Sequence, residues 1–128
     1  AWQFRPQADR PVQWAETQNN LGITLDNQGT RTSGADGTDL LSQSVTAYRA
    51  ALQVRTQADH PVDWAMTQNN LGNILRNQGT RTTGADLLAQ AVTAYRAALQ
   101  VRTQVDHPVD WAMTHGKYCG STLSNIGT

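Results

Sequence analysis

The fold of this chain is decided by the stretch from Val45 to Thr67, VTAYRAALQVRTQADHPVDWAMT, because it occurs twice. Residues 92–114 read VTAYRAALQVRTQVDHPVDWAMT, 47 positions later, and of the 23 aligned positions only Ala58, which becomes Val105, differs. A third and weaker copy opens the chain, where residues 1–5 and 11–14 align with residues 51–55 and 61–64 at an offset of 50. A period of this length is typical of a repeat array, in which each unit stacks on its neighbours.

The composition limits the class of protein. The chain of 128 residues is long enough for one domain, and its ten basic and ten acidic residues cancel. Without a basic stripe, no nucleic-acid partner is expected. No apolar run approaches the roughly 20 residues of a membrane span, so no span is expected. The single cysteine, Cys119, excludes an intrachain disulfide.

Each repeat is predicted to contain two helices and no strand. Between Asp86 and Arg102, apolar and small residues recur every three or four positions along one face, including Leu88, Tyr95 and Leu99. The other helix of the repeat has Trp64, Leu71 and Leu75 on one side. The pattern predicts five helices, at about 11–27, 39–57, 61–77, 86–104 and 108–125.

Residues with known preferences mark the expected helix ends. Asp39 and Asp86 are predicted to be N-caps, since an aspartate side chain accepts hydrogen bonds from the first free N–H groups. Pro61 is expected in the first turn of its helix, where its missing N–H is not needed. Gly79 is expected to end that helix, and residues 80–85 are expected to form a loop.

The motifs on these helices resemble the tetratricopeptide repeat family. Its first-helix pattern W-x2-L-G-x2-Y is matched in part by Gln68-x2-Leu71-Gly72-x2-Leu75 and by Gln18-x2-Leu21-Gly22-x2-Leu25. Its second-helix pattern A-x3-F is matched by Ala91-x3-Tyr95 and, with serine for alanine, by Ser44-x3-Tyr48. The stretch HPVDWAMTQNNLG and the long period look most like the kinesin-light-chain-like branch of the family. The resemblance implies an all-α solenoid of antiparallel helix pairs that forms a right-handed superhelix and acts as a non-catalytic protein–protein interaction module.

The repeat pattern divides the chain as a single repeat domain over residues 1–128. Residues 1–10 are expected to be the tail of a preceding repeat, 11–60 repeat 1, 61–107 repeat 2, and 108–128 the first helix of an incomplete repeat 3. Neither end has the dedicated polar cap that solenoids normally need. A missing neighbour could therefore be supplied by another copy, in a head-to-tail contact that does not close. The candidate end-to-end residues are Trp2, Phe4, Trp14, Trp111, Tyr118 and Ile126.

Polar residues on the first helices are the candidates for ligand binding. The resemblance implies that this side lines the concave groove, where asparagine hydrogen-bonds the backbone of an extended peptide. The positions concerned are Asn19, Asn20, Asn69, Asn70, Asn73 and Arg76. The alternative is that they are solvated or form packing bonds between repeats. In the third copy, Gly116 and Lys117 replace the asparagine pair, which weakens the binding interpretation there.

Tryptophan and histidine residues recur at fixed positions of the repeats. Trp14, Trp64 and Trp111 begin each first helix, either packed on the preceding second helix or exposed as interface anchors. His60 and His107 recur in Asp-His-Pro, but no ligand spacing indicates a metal site.

No catalytic motif is visible in the sequence. Neither a nucleophile elbow nor a phosphate-binding glycine loop appears, and no cofactor is expected. Three hypotheses remain. The chain is a scaffold whose partner is a protein or peptide, a structural subunit whose partner is itself, or an enzyme with a polar pocket that the sequence does not show.

Overall fold

The computed structural model describes residues 6–82 and 84–117, and within these ranges the chain is an all-α helical repeat. Six helices follow one another: α1 (Pro6–Asp9), α2 (Pro11–Arg31), α3 (Gly34–Leu52), α4 (Pro61–Thr82), α5 (Ala85–Leu99) and α6 (Pro108–Gly116). No described residue lies in a strand. The helices α2 and α3 form one packed pair, and α4 and α5 form the next. The predicted fold class is thereby confirmed, with the short α1 as an addition.

The first helix of each pair is longer than predicted. Helix α4 passes through Gly79 and ends at Thr82, so the prediction that Gly79 stops the helix and that a loop follows at once is wrong. The glycine is needed for packing instead. A Cβ atom at Gly79 would lie 2.8 Å from Leu88 Cγ of α5, closer than real Cβ contacts allow.

The second helix of each pair begins and ends earlier than predicted. Ser33 and Gly84 occupy the N-cap positions of α3 and α5, so the prediction of aspartate N-caps at Asp39 and Asp86 is wrong. Helices α3 and α5 end at Leu52 and Leu99, although the periodic pattern continues beyond them.

Threonine side chains favour the turns that follow these helices. Thr56 Oγ1 accepts a hydrogen bond from the Asp59 N–H at 3.2 Å, and Thr103 Oγ1 accepts one from the Asp106 N–H at 3.1 Å. Such local bonds compete with continuation of the helix. Each turn leads to a proline, Pro61 or Pro108, that begins the next first helix as predicted.

The core lies between the two helices of each pair, where a glycine of the first helix faces a tyrosine of the second. A Cβ atom at Gly72 would lie 2.7 Å from the ring of Tyr95, and one at Gly22 would lie 2.6 Å from the ring of Tyr48. Both tyrosines are almost fully buried. The glycine of each Leu-Gly pair therefore lets the two helices of the pair approach closely in both repeats.

The two pairs are also joined at the far ends of their first helices. Arg81 of α4 donates from Nη1 to the Gly29 carbonyl oxygen at 2.7 Å and from Nη2 to the Thr32 carbonyl oxygen at 2.6 Å. These carbonyls belong to the end of α2, where the usual helical partners run out and Gly29 O accepts only a bond of 3.2 Å from the C-cap Thr32 N–H among the backbone bonds of the described residues. The contact holds α2 and α4 side by side.

Candidate functional site

Buried polar bonds join each first helix to the next. Thr67 of α4 donates from Oγ1 to Asn19 Oδ1 of α2 at 3.0 Å, and Arg55, which follows α3, donates from Nη1 to Thr67 Oγ1 at 3.2 Å. Asn19 is 2% exposed and Thr67 is fully buried. Because buried polar groups must find partners, this chain of bonds fixes the relative position of α2 and α4.

The same arrangement recurs one repeat later. Thr114 of α6 donates to Asn69 Oδ1 of α4 at 2.8 Å, and Arg102 Nη1 donates to Thr114 Oγ1 at 3.2 Å. Asn69 is 4% exposed. We call each set the Arg–Thr–Asn junction. Asn19 and Asn69, two of the candidate ligand residues, therefore form packing bonds between repeats, as the alternative interpretation has it.

The other candidate ligand residues lie nearer to solvent. Asn20 is exposed, whereas Asn70, Asn73 and Arg76 are half-buried. The Tyr95 hydroxyl donates to Asn73 Oδ1 at 2.6 Å, so the buried ring of α5 orients this amide. Asn73 can use its remaining donors, those of Nδ2, toward a ligand.

The first helices also carry a row of exposed apolar side chains near their starts, at positions that were not among the predicted site residues. Val12, Val62 and Val109 occupy the same position on α2, α4 and α6 and are 51%, 59% and 71% exposed. Four residues later, on the same side of each helix, are an exposed Glu16, a half-buried Met66 and an exposed Met113. The signal was available in the sequence, since a valine follows the proline of every first helix.

These positions together form one surface, which we call the first-helix face. The Arg–Thr–Asn junctions hold the three helices in register, so equivalent residues of neighbouring helices lie beside one another. The face contains Val12, Glu16 and Asn20 of α2, then Val62, Met66, Asn70, Asn73 and Arg76 of α4, then Val109, Met113 and Lys117 at α6. It is apolar where the helices begin and polar further along.

The charge of this face changes along the array. Burial raises the pKa of Asp26 in α2, while hydrogen bonds from Thr30 and Asn77 and the charge of Arg76 oppose the rise. Burial lowers the pKa of Lys117, and the positive charges of Arg76 and Arg102 lower it further. Both shifts weaken the charges at the two ends, and the difference in sign comes from the residue types, since Glu16 lies on α2 whereas Arg76 and Lys117 lie toward α6.

Only some of the candidate residues for an end-to-end contact lie within the described part of the chain. Trp14 and Trp111 are half-buried, like Trp64 in the equivalent position. The Trp111 ring stacks on the His115 ring, with centroids 4.6 Å apart. Trp2, Phe4, Tyr118 and Ile126 lie outside the described residues.

Two further searches concern only residues 6–82 and 84–117. Within these ranges no group of three or more histidine, cysteine, aspartate or glutamate side chains is arranged to hold a metal ion. No helix in the same ranges has the length and apolar character needed to cross a membrane.

Comparison with known families agrees with the repeat architecture. A family model described as tetratricopeptide repeat matches residues 64–109, from α4 into the start of α6. This match supports a tetratricopeptide repeat family for the array. Neither the comparison with curated proteins nor the comparison with solved structures gave a match.

Proposed function

We propose that this chain is a non-catalytic scaffold that binds a peptide or protein on its first-helix face. The premise is the tetratricopeptide repeat match over residues 64–109, because such repeats generally serve protein interaction. The observation that carries the proposal is the exposed row Val12, Val62 and Val109. We also infer, from the long period, that the repeats belong to the kinesin-light-chain-like branch.

The chemistry of the face fits an extended peptide. Exposed apolar side chains at equivalent positions of neighbouring helices indicate an interaction surface. An extended backbone needs hydrogen-bond partners, and the amide of Asn73, which Tyr95 orients, offers donors on the same face, roughly 16 Å further along α4 than Val62. A preoriented amide loses little conformational entropy when it binds.

The test uses a random peptide library displayed on phage and selected on the full chain. Enriched peptides are expected to lose at least tenfold in affinity with Val62→Ser, which removes exposed apolar surface. A similar loss is expected with Asn73→Asp, which keeps an acceptor for the Tyr95 hydroxyl and removes the amide donors. The matched control is Val105→Ser, because this valine is 89% exposed but lies in the turn before α6.

The result of the variants decides the proposal. Equal loss with Val62→Ser and Val105→Ser would indicate general stickiness and contradict it. So would a failure to enrich any peptide that depends on Val62 or Asn73. Circular dichroism of each variant checks that the helices remain intact.

A second candidate function is self-assembly, and one observation favours it. Leu21 of α2 is 45% exposed, whereas its equivalent in α4, Leu71, is 7% exposed. A large apolar side chain that is covered in one repeat and uncovered in the other marks a face suited to a further helix. Light scattering over a concentration series tests this candidate. A mass that grows with concentration supports it, and a constant monomer mass contradicts it.

A further inference from the structure

Both methionines of the chain lie on the first-helix face. Met66 of α4 and Met113 of α6 are 47 positions apart and occupy equivalent places in the repeat. Met66 is half-buried, and Met113 is 50% exposed. Glu16 occupies the equivalent position of α2, so the methionines are confined to the part of the face that α4 and α6 form.

The methionines lie between the apolar and the polar parts of this face. Met66 is one helical turn beyond Val62 on the same side of α4, and Asn73 is about two turns beyond Met66. On α6, Met113 follows Val109 by the same interval of one turn. A peptide that contacts both Val62 and Asn73 therefore passes over Met66 and excludes water from its thioether.

A thioether suits such a contact only while it stays apolar. The methionine side chain is unbranched and polarizable, so it adapts to ligand side chains of different shapes. Its sulfur is also the atom of the side chain that oxidants attack, and the product is polar. The face thus carries a chemical group whose polarity can change where the ligand lies.

We propose that oxidation of Met66 and Met113 by hydrogen peroxide weakens peptide binding on the first-helix face. The inference rests on the proposed peptide-binding function and adds a means of regulating it. In the reaction the O–O bond of the peroxide breaks and an S–O bond forms, so that the thioether becomes a sulfoxide and the peroxide becomes water. The sulfur is oxidised, the peroxide is reduced, and no bond of the side chain breaks.

The loss of affinity follows from the polarity of the sulfoxide. Its oxygen is hydrated in the free protein, whereas an apolar ligand side chain offers it no hydrogen bond. Burying a polar group without a partner opposes binding, and we expect the affinity to fall about tenfold when both methionines are oxidised.

The change is reversible, which distinguishes a switch from damage. Methionine sulfoxide reductases return the sulfoxide to the thioether with a dithiol as the electron donor. The S–O bond breaks, the oxygen leaves as water, and the dithiol becomes a disulfide. Treatment of the oxidised chain with the reductases for both sulfoxide epimers should therefore restore the affinity.

The exposure of the two side chains predicts the course of the oxidation. Met113, which is 50% exposed, should be oxidised faster than the half-buried Met66, because accessible methionines react first. A bound peptide should slow the oxidation of both. This protection is a readout that a purely structural role of the methionines would not produce.

The test uses the full chain with Cys119→Ser, so that the methionines are its only sulfur atoms. Peptides without methionine, cysteine or tryptophan are selected from the phage library, and those whose binding depends on Val62 or Asn73 are kept. Fluorescence anisotropy measures their affinity before oxidation, after peroxide treatment and after reduction. Mass spectrometry of proteolytic fragments measures the sulfoxide at each methionine.

The matched control is the double variant Met66→Leu/Met113→Leu, which keeps apolar side chains of similar volume and forms no sulfoxide. Whatever its starting affinity, peroxide should leave that affinity unchanged. Circular dichroism checks that the helices persist in every oxidised sample.

Three outcomes would overturn the inference. Unchanged affinity with both methionines oxidised would contradict it and leave the proposed function standing. An equal loss in the leucine variant would show that peroxide acts elsewhere. Failure to select any peptide that depends on Val62 or Asn73 would overturn the proposed function and this inference with it.

Discussion

The hydrogen bonds of the Thr67 hydroxyl allow a quantitative prediction about stability. Thr67→Val keeps the shape of the side chain and removes its hydroxyl. Two hydrogen bonds are lost, one of 3.0 Å to Asn19 Oδ1 and one of 3.2 Å from Arg55 Nη1. The variant therefore takes one partner from Arg55 Nη1 and one from Asn19 Oδ1, which keeps only the longer bond of 3.5 Å from Asn70 Nδ2.

The magnitude follows from the burial of these groups. Leaving a buried donor or acceptor without a partner costs about 1–3 kcal/mol, and more for a charged group such as the guanidinium of Arg55. The added methyl group offsets about 0.8 kcal/mol through burial, because Thr67 is fully buried and the methyl is shielded from water. We expect a net destabilisation of roughly 2 kcal/mol.

Equilibrium unfolding in urea measures this loss, and the repeat supplies a matched control. Thr17→Val is the same substitution at the equivalent position of α2, where the hydroxyl is exposed and bonded to the Gln13 carbonyl oxygen of its own helix. Its effect should stay within about 0.5 kcal/mol. If the two variants unfold at the same urea concentration with equal slopes, the junction does not stabilise the array and the reasoning fails.

Three further predictions concern glycine packing, a buried carboxyl and the exposed side chain of Leu21. Gly72→Ala should destabilise by about 1–3 kcal/mol through overpacking against the α5 tyrosine ring. Gly116→Ala, whose Cβ would meet no atom of the described residues within 4 Å, should instead stabilise by about 0.5–1 kcal/mol. Equal thermal shifts would contradict the packing argument. Burial raises the pKa of Asp26, so its ionisation opposes folding. Asp26→Asn should raise stability at pH 7 and lose that advantage as the pH falls through the raised pKa of the folded state, with none left below the ordinary aspartate pKa. A gain that is independent of pH would refute the assigned cause. Leu71→Ala should cost about 2–5 kcal/mol, and Leu21→Ala, at an exposed site, under about 1 kcal/mol in dilute solution. Equal losses in denaturant melts would show that Leu21 is covered as Leu71 is.

The fold could be predicted from the sequence because its motifs reflect the packing requirements of the helix pairs. Gly72 and Tyr95 were matched to a pattern that demands close helix approach, and a Cβ at this glycine would meet the ring at 2.7 Å. The helix ends were less predictable. The periodic pattern continues past Leu52 and Leu99, and only the threonine-bonded turns that follow explain where α3 and α5 end.

The candidate site was predictable only in part. Asn69 and Asn70 are adjacent in the same motif, yet one is buried in a junction and the other is half-buried at the surface. This difference depends on Thr114, which approaches from the next helix, so no local pattern could reveal it. The exposed valines were visible in the repeat, but without packing an apolar residue in an amphipathic helix is expected in the core.

The measurement that tests the account most directly is hydrogen–deuterium exchange of the full chain, with and without a library-selected peptide. The account predicts slower exchange in α2, α4 and α6, whose side chains form the first-helix face, and little change in α3 and α5. Protection centred on α3 and α5, with the first helices unchanged, would contradict binding at the first-helix face.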